Sequence, residues 1–349
     1  MRAAVLHGPR DVRIEQVPDP RIERPTDAIV RVVAACVCGS DLWSYRGIQQ
    51  VPEPTRMGHE FVGVVEEIGA EIDTVRPGQF VIAPMHASDG ICVHCRNRVP
   101  FFCPRRAHWG ATDEYGLFVD GGQGEAVRVP MADGTLVALP EQPDPALIPD
   151  LLALCDVMGT GYHAALCAGV TRGSTVAVVG DGAVGLCAVL AVRRLGAERV
   201  IAMSSHAERQ KLARVFGASD VVTKRGADGA AQVVELLGGV GADAVLECVG
   251  TKESLQQAID ATRPGGRVGY VGLPHGSPEL PVQQLFLANI SVRGGLASSR
   301  DYITELLPSV LDGSIEPGRV FDLVLDLDAV AGGYAAMDQR RSIKALLRP

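Results

Sequence analysis

The stretch Val176–Gly185, VAVVGDGAVG, decides the fold that this sequence predicts. It places Gly180, Gly182 and Gly185 in the spacing G-x-G-x-x-G, directly after an apolar run typical of a strand and at the start of a helix-length segment. Glycines in this arrangement let a backbone turn approach a pyrophosphate closely at a helix N-terminus. Because glycines also serve ordinary turns, the surrounding sequence has to decide between the two interpretations.

From Ser174 onward, short β-rich runs alternate with helix-length segments. The runs are STVAVVG, RVIAMS, DVVT, ADAVLECVG, RVGYVG and ISVRGG. The segment 183–195 is apolar almost all the way round, as expected of a helix buried against a sheet. We therefore predict an α/β domain over 153–295 with a doubly wound parallel sheet. In this context the glycine motif, with Ala183 and Val184 inside it, indicates a dinucleotide site.

The first part of the chain predicts a separate, mostly β domain. Its strand-like runs are short and broken by Gly and Pro: AIVRVVAA, EFVGVVEEIGA, QFVIAP, GEAVRVP and TLVAL. The β/α alternation stops near Gly295, so we expect the tail to return to the first domain. The predicted domain thus comprises 1–152 and 296–349.

Charge and cysteine content narrow the class of protein. The 349 residues carry a formal net charge of -8, which leaves no basic surface for nucleic acid or an anionic membrane. The start of the chain lacks an apolar signal core, and the apolar run Leu186–Val192 is too short to span a bilayer. Nine cysteines do not suggest a disulfide framework. We expect a cytoplasmic protein whose partners are small molecules or copies of itself.

The end of the second predicted strand, RVIAMS, bears on the type of dinucleotide. An acidic residue there would bind the adenosine ribose 2′-hydroxyl, as in NAD enzymes. This chain has Ser204, followed by Ser205, His206 and Arg209. A carboxylate repels a 2′-phosphate, whereas hydroxyls and a basic group attract it, so the sequence favours NADP over NAD. The alternative is that these are ordinary helix-capping and surface residues.

Three separated stretches contain residues of the types that bind zinc. Cys38 lies in CVCGSDLW, His59 and Glu60 in GHE, and Asp156 in the otherwise apolar LALCDVMGTGYHAA. Each residue alone is uninformative, since single cysteines and histidines commonly pack in cores. Together, a thiolate, an imidazole and a carboxylate can hold a catalytic zinc that keeps one position open. Cys36 lies on an apparent strand, and we expect it to pack as a small hydrophobic residue.

With CGSD, GHE, GTGYHA, GxGxxG and RPGGRVGYVG in this order, the sequence resembles the zinc-dependent medium-chain alcohol dehydrogenase family over essentially its whole length. The resemblance implies a GroES-like catalytic domain and a Rossmann coenzyme domain. It implies Cys38, His59 and Asp156 as zinc ligands, with Glu60 as an exchanging fourth ligand. With a carboxylate rather than a cysteine at the Asp156 position, the sequence is similar to bacterial NADP-linked secondary alcohol dehydrogenases and to threonine and polyol dehydrogenases.

A lobe at about 86–110 resembles the structural zinc lobe of the same family, in which four cysteines follow the pattern C-x2-C-x2-C-x7-C. Here Cys92, Cys95 and Cys103 fit the last three positions, and Asp89 occupies the first. A carboxylate oxygen can complete a tetrahedral zinc site. We therefore predict a second, structural zinc; the alternative is a lobe that has lost its metal.

The resemblance also implies the chemistry. Zinc polarises the substrate oxygen while hydride passes between the carbinol carbon and the nicotinamide, and Ser40 takes the proton on the alkoxide side. Trp43 stands where family members often carry a histidine, and an indole cannot relay a proton. Either another group, such as His86 or His108, or a water chain completes the relay, or proton release is slow. Trp43, His108 and Trp109 are also candidate pocket residues.

The predicted function is hydride transfer between a nicotinamide cofactor, NADP favoured, and a secondary alcohol/ketone or alcohol/aldehyde pair. A polyol or an amino alcohol such as threonine is the alternative substrate class. The alternative functions are a zinc-free quinone or enoyl reductase of the same superfamily and a non-catalytic coenzyme-binding protein. We expect a homo-oligomer, either a tetramer or a dimer, with the apolar edge LFLANISVRGG suited to a subunit contact.

Overall fold

A computed structural model of the chain describes residues 1–274, 276 and 279–349. The chain divides into two compact units. Unit 1 comprises Met1–Asp156 and Ser298–Pro349, and unit 2 comprises Val157–Ala297. The first boundary falls after Asp156, later than the expected 152/153, because the helix Ile148–Ala153 packs on the main sheet of unit 1, with Leu151 and Leu152 buried. Asp156 therefore belongs to unit 1.

Unit 2 is built from alternating strands and helices. Its strands are β9 (Thr175–Val179), β10 (Arg199–Met203), β11 (Asp220–Val222), β12 (Ala242–Glu247), β13 (Thr262–Tyr270) and β14 (Ser291–Gly294). Its helices are α5 (Val157–Cys167), α6 (Ala183–Arg194), α7 (Ala207–Val215), α8 (Gly226–Leu236), α9 (Lys252–Ala261) and α10 (Val282–Ala288). The elements are numbered along the whole chain. Each of the six strands that the sequence predicts for this unit is present.

The strands of unit 2 form one parallel sheet in the order β11-β10-β9-β12-β13-β14. The chain therefore winds outward from β9 in both directions, which confirms the predicted doubly wound fold. Apolar runs such as Val176–Val179 are buried on both faces, as a sheet covered by helices requires. Gly180 turns the chain at a φ of 116°, and a Cβ on Gly185 would overlap the Gly180 carbonyl oxygen, so both positions need glycine.

Unit 1 is mostly β, as predicted. Its N-terminal part contains β1 (Arg2–Gly8), β2 (Asp11–Gln16), β3 (Ala28–Cys36), α1 (Asp41–Tyr45), β4 (Thr55–Arg56), β5 (Phe61–Ile68), β6 (Phe80–Ala83), α2 (Val93–Arg96), β7 (Ala126–Val129), α3 (Ala132–Thr135), β8 (Val137–Ala138) and α4 (Ile148–Ala153). Its C-terminal part contains α11 (Ser299–Leu311), β15 (Phe321–Asp326), α12 (Val330–Asp338) and β16 (Lys344–Arg348).

The register of the larger sheet of unit 1 brings distant residues together. Its order is β15-β16-β3-β5-β6-β8, with β7 also pairing with β3. At one end of β3, Ala35 pairs with Phe61 of β5 and Cys36 pairs with Leu346 of β16. The loops after Cys36 and before Phe61 therefore meet at one edge of the sheet, where Lys344 also begins β16. Cys36 itself is fully buried, as expected of a small hydrophobic residue.

A membrane-spanning helix would need a long apolar segment. No helix in the part of the chain that the structure describes has that length and composition.

Candidate metal centre and coenzyme site

Four potential metal donors from three loops of unit 1 converge. One ligand atom from each of Cys38, His59, Glu60 and Asp156 lies within 4.8 Å of the others. The Asp156 Oδ2 atom is 3.6 Å from Cys38 Sγ and 3.6 Å from His59 Nε2. Zinc bonds of about 2.0–2.3 Å in a tetrahedron give donor separations of roughly 3.3–3.8 Å. The donor set therefore fits a zinc ion in both chemistry and spacing.

Glu60 divides its two carboxylate oxygens between a buried lysine and the metal centre. Oε1 accepts a 2.7 Å hydrogen bond from Nζ of Lys344, which is 1% exposed. Oε2 is buried and has no hydrogen-bond partner within the described residues. A buried carboxylate oxygen without a donor is unfavourable unless a cation approaches it. Glu60 thus has one oxygen fixed and one available to a metal.

Asp41 fixes the orientation of two ligands, and the sequence analysis missed it. Its Oδ1 lies 3.1 Å from His59 Nδ1, which leaves Nε2 to face the metal centre. Its Oδ2 accepts a 3.0 Å hydrogen bond from the Cys38 backbone N–H and a 3.1 Å bond from Gln123 Nε2. The signal was present in CGSD, because a carboxylate three residues after a ligand can reach back to the ligand loop.

The electrostatics of the centre favour a bound cation. Burial lowers the pKa of His59, but Asp41, Cys38 and Asp156 outweigh burial and raise the pKa well above its usual value. Burial raises the pKa of Glu60, against the opposing charge of Lys344. Several acidic donors therefore share a desolvated site. A divalent cation relieves that imbalance.

Ser40, Trp43 and His86 are the other residues that the sequence predicts near the metal centre or its proton relay. Ser40 Oγ lies 3.5 Å from His59 Nε2, which places the hydroxyl at the ligand cluster. Trp43 is half-buried on α1, and His86 is buried with Nδ1 lacking a hydrogen-bond partner within the described part of the chain.

The two aromatic residues beyond the lobe differ in their surroundings. The half-buried ring of His108 lies 5.1 Å from the ring of Phe101. Trp109, the other candidate pocket residue, packs edge-on against Phe61 in the hydrophobic core of unit 1. Its indole N–H donates to the Pro84 carbonyl. A core position, with the polar atom satisfied by the backbone, accounts for this tryptophan.

The lobe forms a second cluster of donors. One ligand atom from each of Asp89, Cys92, Cys95 and Cys103 lies within 4.8 Å of the others. The sulfurs of Cys92 and Cys95 are 3.5 Å apart, close to the edge of a tetrahedral site with bonds of about 2.3 Å. The donor set therefore fits a structural zinc.

Hydrogen bonds hold the Asp89 carboxylate in this cluster. Its Oδ1 accepts backbone hydrogen bonds from Ile91 and Cys92, and its Oδ2 accepts from Arg105 at 3.0 Å. Burial raises the pKa of Asp89, but these donors outweigh it and lower the pKa overall, which keeps the carboxylate ionised. Arg105, which the sequence analysis missed, offsets part of the negative charge that three thiolates and a carboxylate would leave around Zn²⁺.

In unit 2, the residues predicted to bind the coenzyme converge near the glycine turn. Ser204 Oγ donates to Asp181 Oδ2 at 2.7 Å, and His206 Nδ1 donates to the same oxygen at 2.7 Å. Arg209 Nη1 lies 3.2 Å from Asp181 Oδ1. A fourth contact, in which Arg225 Nη2 donates to Ser205 Oγ, adds another cation. The sequence analysis missed both Asp181, which lies inside the glycine motif, and Arg225.

Comparison with known proteins agrees with both units. The model of the zinc-binding dehydrogenase family matches residues 183–312, and that of the alcohol dehydrogenase GroES-like domain matches residues 24–141. A "Probable zinc-binding alcohol dehydrogenase" of Mycobacterium tuberculosis is 35% identical over 354 residues, covering 100% of this chain and 89% of that protein.

Solved structures extend the likeness to the whole fold. Alcohol dehydrogenase TADH from Thermus sp. ATN1 superposes with a TM-score of 0.91 at 33% identity, covering 100% of this chain and 99% of that one. A zinc-binding dehydrogenase of Sinorhizobium meliloti 1021, solved with NADP, has a TM-score of 0.82 at 27% identity, covering 100% and 99%.

The GroES-like unit, the parallel-sheet unit and the cysteine–histidine–carboxylate centre together define a nicotinamide-dependent oxidoreductase that acts on CH–OH donors. The chain belongs to the zinc-dependent medium-chain alcohol dehydrogenase family, which confirms the resemblance seen in the sequence. Membership implies zinc and a nicotinamide cofactor.

Proposed function

We propose that this protein transfers hydride between NADP and a secondary alcohol/ketone or alcohol/aldehyde pair. The observation that carries the proposal is the donor cluster of Cys38, His59 and Asp156, with His59 oriented by Asp41. A reductase that uses no metal has no need for this buried set of acidic donors. The cluster therefore favours metal-dependent alcohol chemistry over quinone or enoyl reduction.

A zinc ion bound by these donors would supply Lewis-acid polarisation of the substrate oxygen. The chain's own residues prepare that chemistry. Asp41 holds the Nε2 face of His59 toward the centre, and the Glu60–Lys344 pair holds one carboxylate oxygen away from it. Ser40 places a hydroxyl beside the ligands, where it can accept the alcohol proton and return it in the reverse direction.

Residues at the end of β10 support the choice of NADP. Ser204 and Ser205 stand where an acidic residue would bind the ribose 2′-hydroxyl of NAD. Arg225 donates to the Ser205 hydroxyl, and Arg209 shares the partner Asp181 with Ser204. Hydroxyl and guanidinium donors are the groups that recognise a phosphate. The proposal depends on this chain's own residues, since coenzyme choice varies among proteins of one fold.

The test is a screen of alcohols and carbonyl compounds, including polyols and threonine, with both coenzymes before and after zinc removal. We expect turnover with a secondary alcohol or an aldehyde, a higher kcat/KM with NADP and loss of activity on chelation. Cys38→Ala should abolish activity and remove one zinc per chain, whereas Cys36→Ala should leave both nearly intact. Turnover that survives chelation, or equal loss in the two variants, would overturn the proposal.

We further propose a structural zinc held by Asp89, Cys92, Cys95 and Cys103, and a cytoplasmic location. The donor spacing supports the first, and nine cysteines with no disulfide among the described residues suit a reducing compartment. Two zinc ions per chain by metal analysis is the expected result; one zinc with the Cys38 site occupied would contradict the structural site.

A homo-oligomer, dimer or tetramer, is proposed from the surface of α10 beside the edge strand β14. Val282, Phe286 and Leu287 are 69–79% exposed there. Large exposed apolar side chains next to an unpaired strand edge suit contact with a second copy of the chain. Light scattering should report a mass of two or four chains.

A further inference from the structure

The carboxylate of Asp181 occupies the donors that would otherwise face a phosphate. Its Oδ2 accepts from Ser204 Oγ and from His206 Nδ1, both at 2.7 Å. Its Oδ1 lies 3.2 Å from the Arg209 guanidinium. The side chains of Asp181 and Arg209 are only 13% and 12% exposed. This is an ordered, largely buried ion cluster rather than a surface contact.

The glycine motif determines where this carboxylate lies. Asp181 follows Gly180, whose φ of 116° turns the chain between β9 and α6. Ser204 and His206 follow β10, which pairs in parallel with β9. The carboxyl ends of neighbouring parallel strands meet at one sheet edge. The glycine turn therefore places an acidic side chain beside the end of β10, which has no acidic residue of its own.

The donors of Ser204 and His206 can each serve one anion at a time. A serine hydroxyl has one proton, and the His206 Nδ1–H is directed at Asp181. Arg209 balances the single negative charge of Asp181, so the pair is neutral. Burial raises the pKa of Asp181, yet the bonds from His206 and Ser204 and the charge of Arg209 lower it overall, which keeps the carboxylate ionised. A 2′-phosphate entering this cluster meets both competition for donors and like-charge repulsion.

We propose that Asp181 is a specificity-determining residue, an internal anion that takes the place of the ribose 2′-phosphate and restrains selectivity for NADP. This inference rests on the proposed coenzyme site at the end of β10. A ribose with a free 2′-hydroxyl leaves the cluster intact, because it brings no charge. Removing the carboxylate frees the Ser204 hydroxyl and the His206 Nδ1–H and takes away the negative charge beside Arg209, so only the affinity for a phosphate-bearing ligand increases.

Two probes isolate the 2′-phosphate from the rest of the coenzyme: 2′,5′-ADP and 5′-AMP, titrated calorimetrically into the full metal-loaded chain. Asp181→Asn and Asp181→Ser should each bind 2′,5′-ADP at least about tenfold more tightly than the wild type. Binding of 5′-AMP should change by less than about threefold. Circular dichroism checks that each variant is folded. If Asp181→Asn is not folded, Asp181→Ser provides the measurement.

The matched control is Asp220→Asn, which removes a carboxylate paired with Arg199 at the opposite, amino-terminal end of the sheet. It should change neither affinity. Adding Arg209→Gln to Asp181→Asn should abolish the gain, because it removes the cation that would attract the phosphate. The inference is overturned if folded Asp181 variants bind both probes as the wild type does, or gain equally for both, or keep the gain without Arg209.

The affinities of the wild type test the proposed NADP preference independently of the role of Asp181. A wild type that binds 5′-AMP and NAD more tightly than 2′,5′-ADP and NADP would refute that preference. A tenfold gain in the Asp181 variants would then still support the inference. A wild type that prefers NADP, with variants that show no gain, would keep the proposed function and overturn the role of Asp181.

Discussion

Acidification should destabilise the folded chain through His86. The ring is 3% exposed, lies 5.5 Å from the ring of Phe101, and has no hydrogen-bond partner for Nδ1 within the described residues. Burial lowers the pKa of His86 from 6.5 to about 4, and the neighbouring charges of His108 and Arg106 act in the same direction. The folded protein therefore keeps this imidazole neutral well below the pH at which an unfolded chain protonates it.

The sign and size of the effect follow from that difference in pKa. Well above pH 6.5 the imidazole is neutral in both states, so it adds no pH dependence to the stability there. As the pH falls from 6.5 toward 4, the unfolded chain binds a proton that the folded chain does not, and the free energy of unfolding decreases. The full loss is about 3 kcal/mol, of which about 2 kcal/mol has occurred by about pH 5.

The assay compares the metal-loaded wild type with His86→Gln, which cannot titrate. Urea unfolding at about pH 7.5 and about pH 5 should show the wild type losing about 2 kcal/mol more than the variant over that interval. The His86 ring proton in the NMR spectrum, assigned by its absence from the variant, should keep its neutral-form shift down to about pH 5.

Two results would refute this account of His86. One is a stability difference between wild type and variant that does not change with pH. The other is a ring resonance that titrates at the ordinary histidine value, since that would mean that the buried ring is solvated or paired in solution.

Two further predictions concern the buried ion pair and the lobe. Lys344→Met should lower the free energy of unfolding by about 3–5 kcal/mol, because it leaves Glu60 buried without its counter-charge. Lys211→Met, which removes an exposed pair with Glu208, should cost less than about 1 kcal/mol, and similar losses in urea titrations of the two variants would contradict the reasoning. Cys103→Ser should remove one zinc per chain in native mass spectrometry while the Cys38 site stays loaded; retention of both ions would exclude the lobe as a metal site.

Local sequence was sufficient to predict the architecture of unit 2. Apolar runs of strand length alternate with helix-length segments, and the glycine turn between β9 and α6 permits few other residues. The exact residues at which the helices begin and end were harder to predict. Helix α8, for example, begins at Gly226, because residues of low helix propensity at its start are held in the helix by its packing against α9.

The candidate metal ligands were also predictable, because zinc selects few residue types. The groups around them were not. The role of Asp41 could not be predicted from the sequence, since only the fold shows that its carboxylate reaches both His59 and the Cys38 backbone. Trp109 illustrates the opposite case, in which an aromatic residue near a predicted site belongs to the core.

The sequence by itself determined the types of ligand, the glycine turn and the alternation of elements, because each depends on residues close together in the chain. Tertiary structure alone decided the pairings. Lys344 reaches Glu60 across 284 positions because β16 and β5 both pair with β3. Asp181 meets His206 because parallel strands end at one edge. Such contacts depend on strand order and register, which no short stretch of sequence specifies.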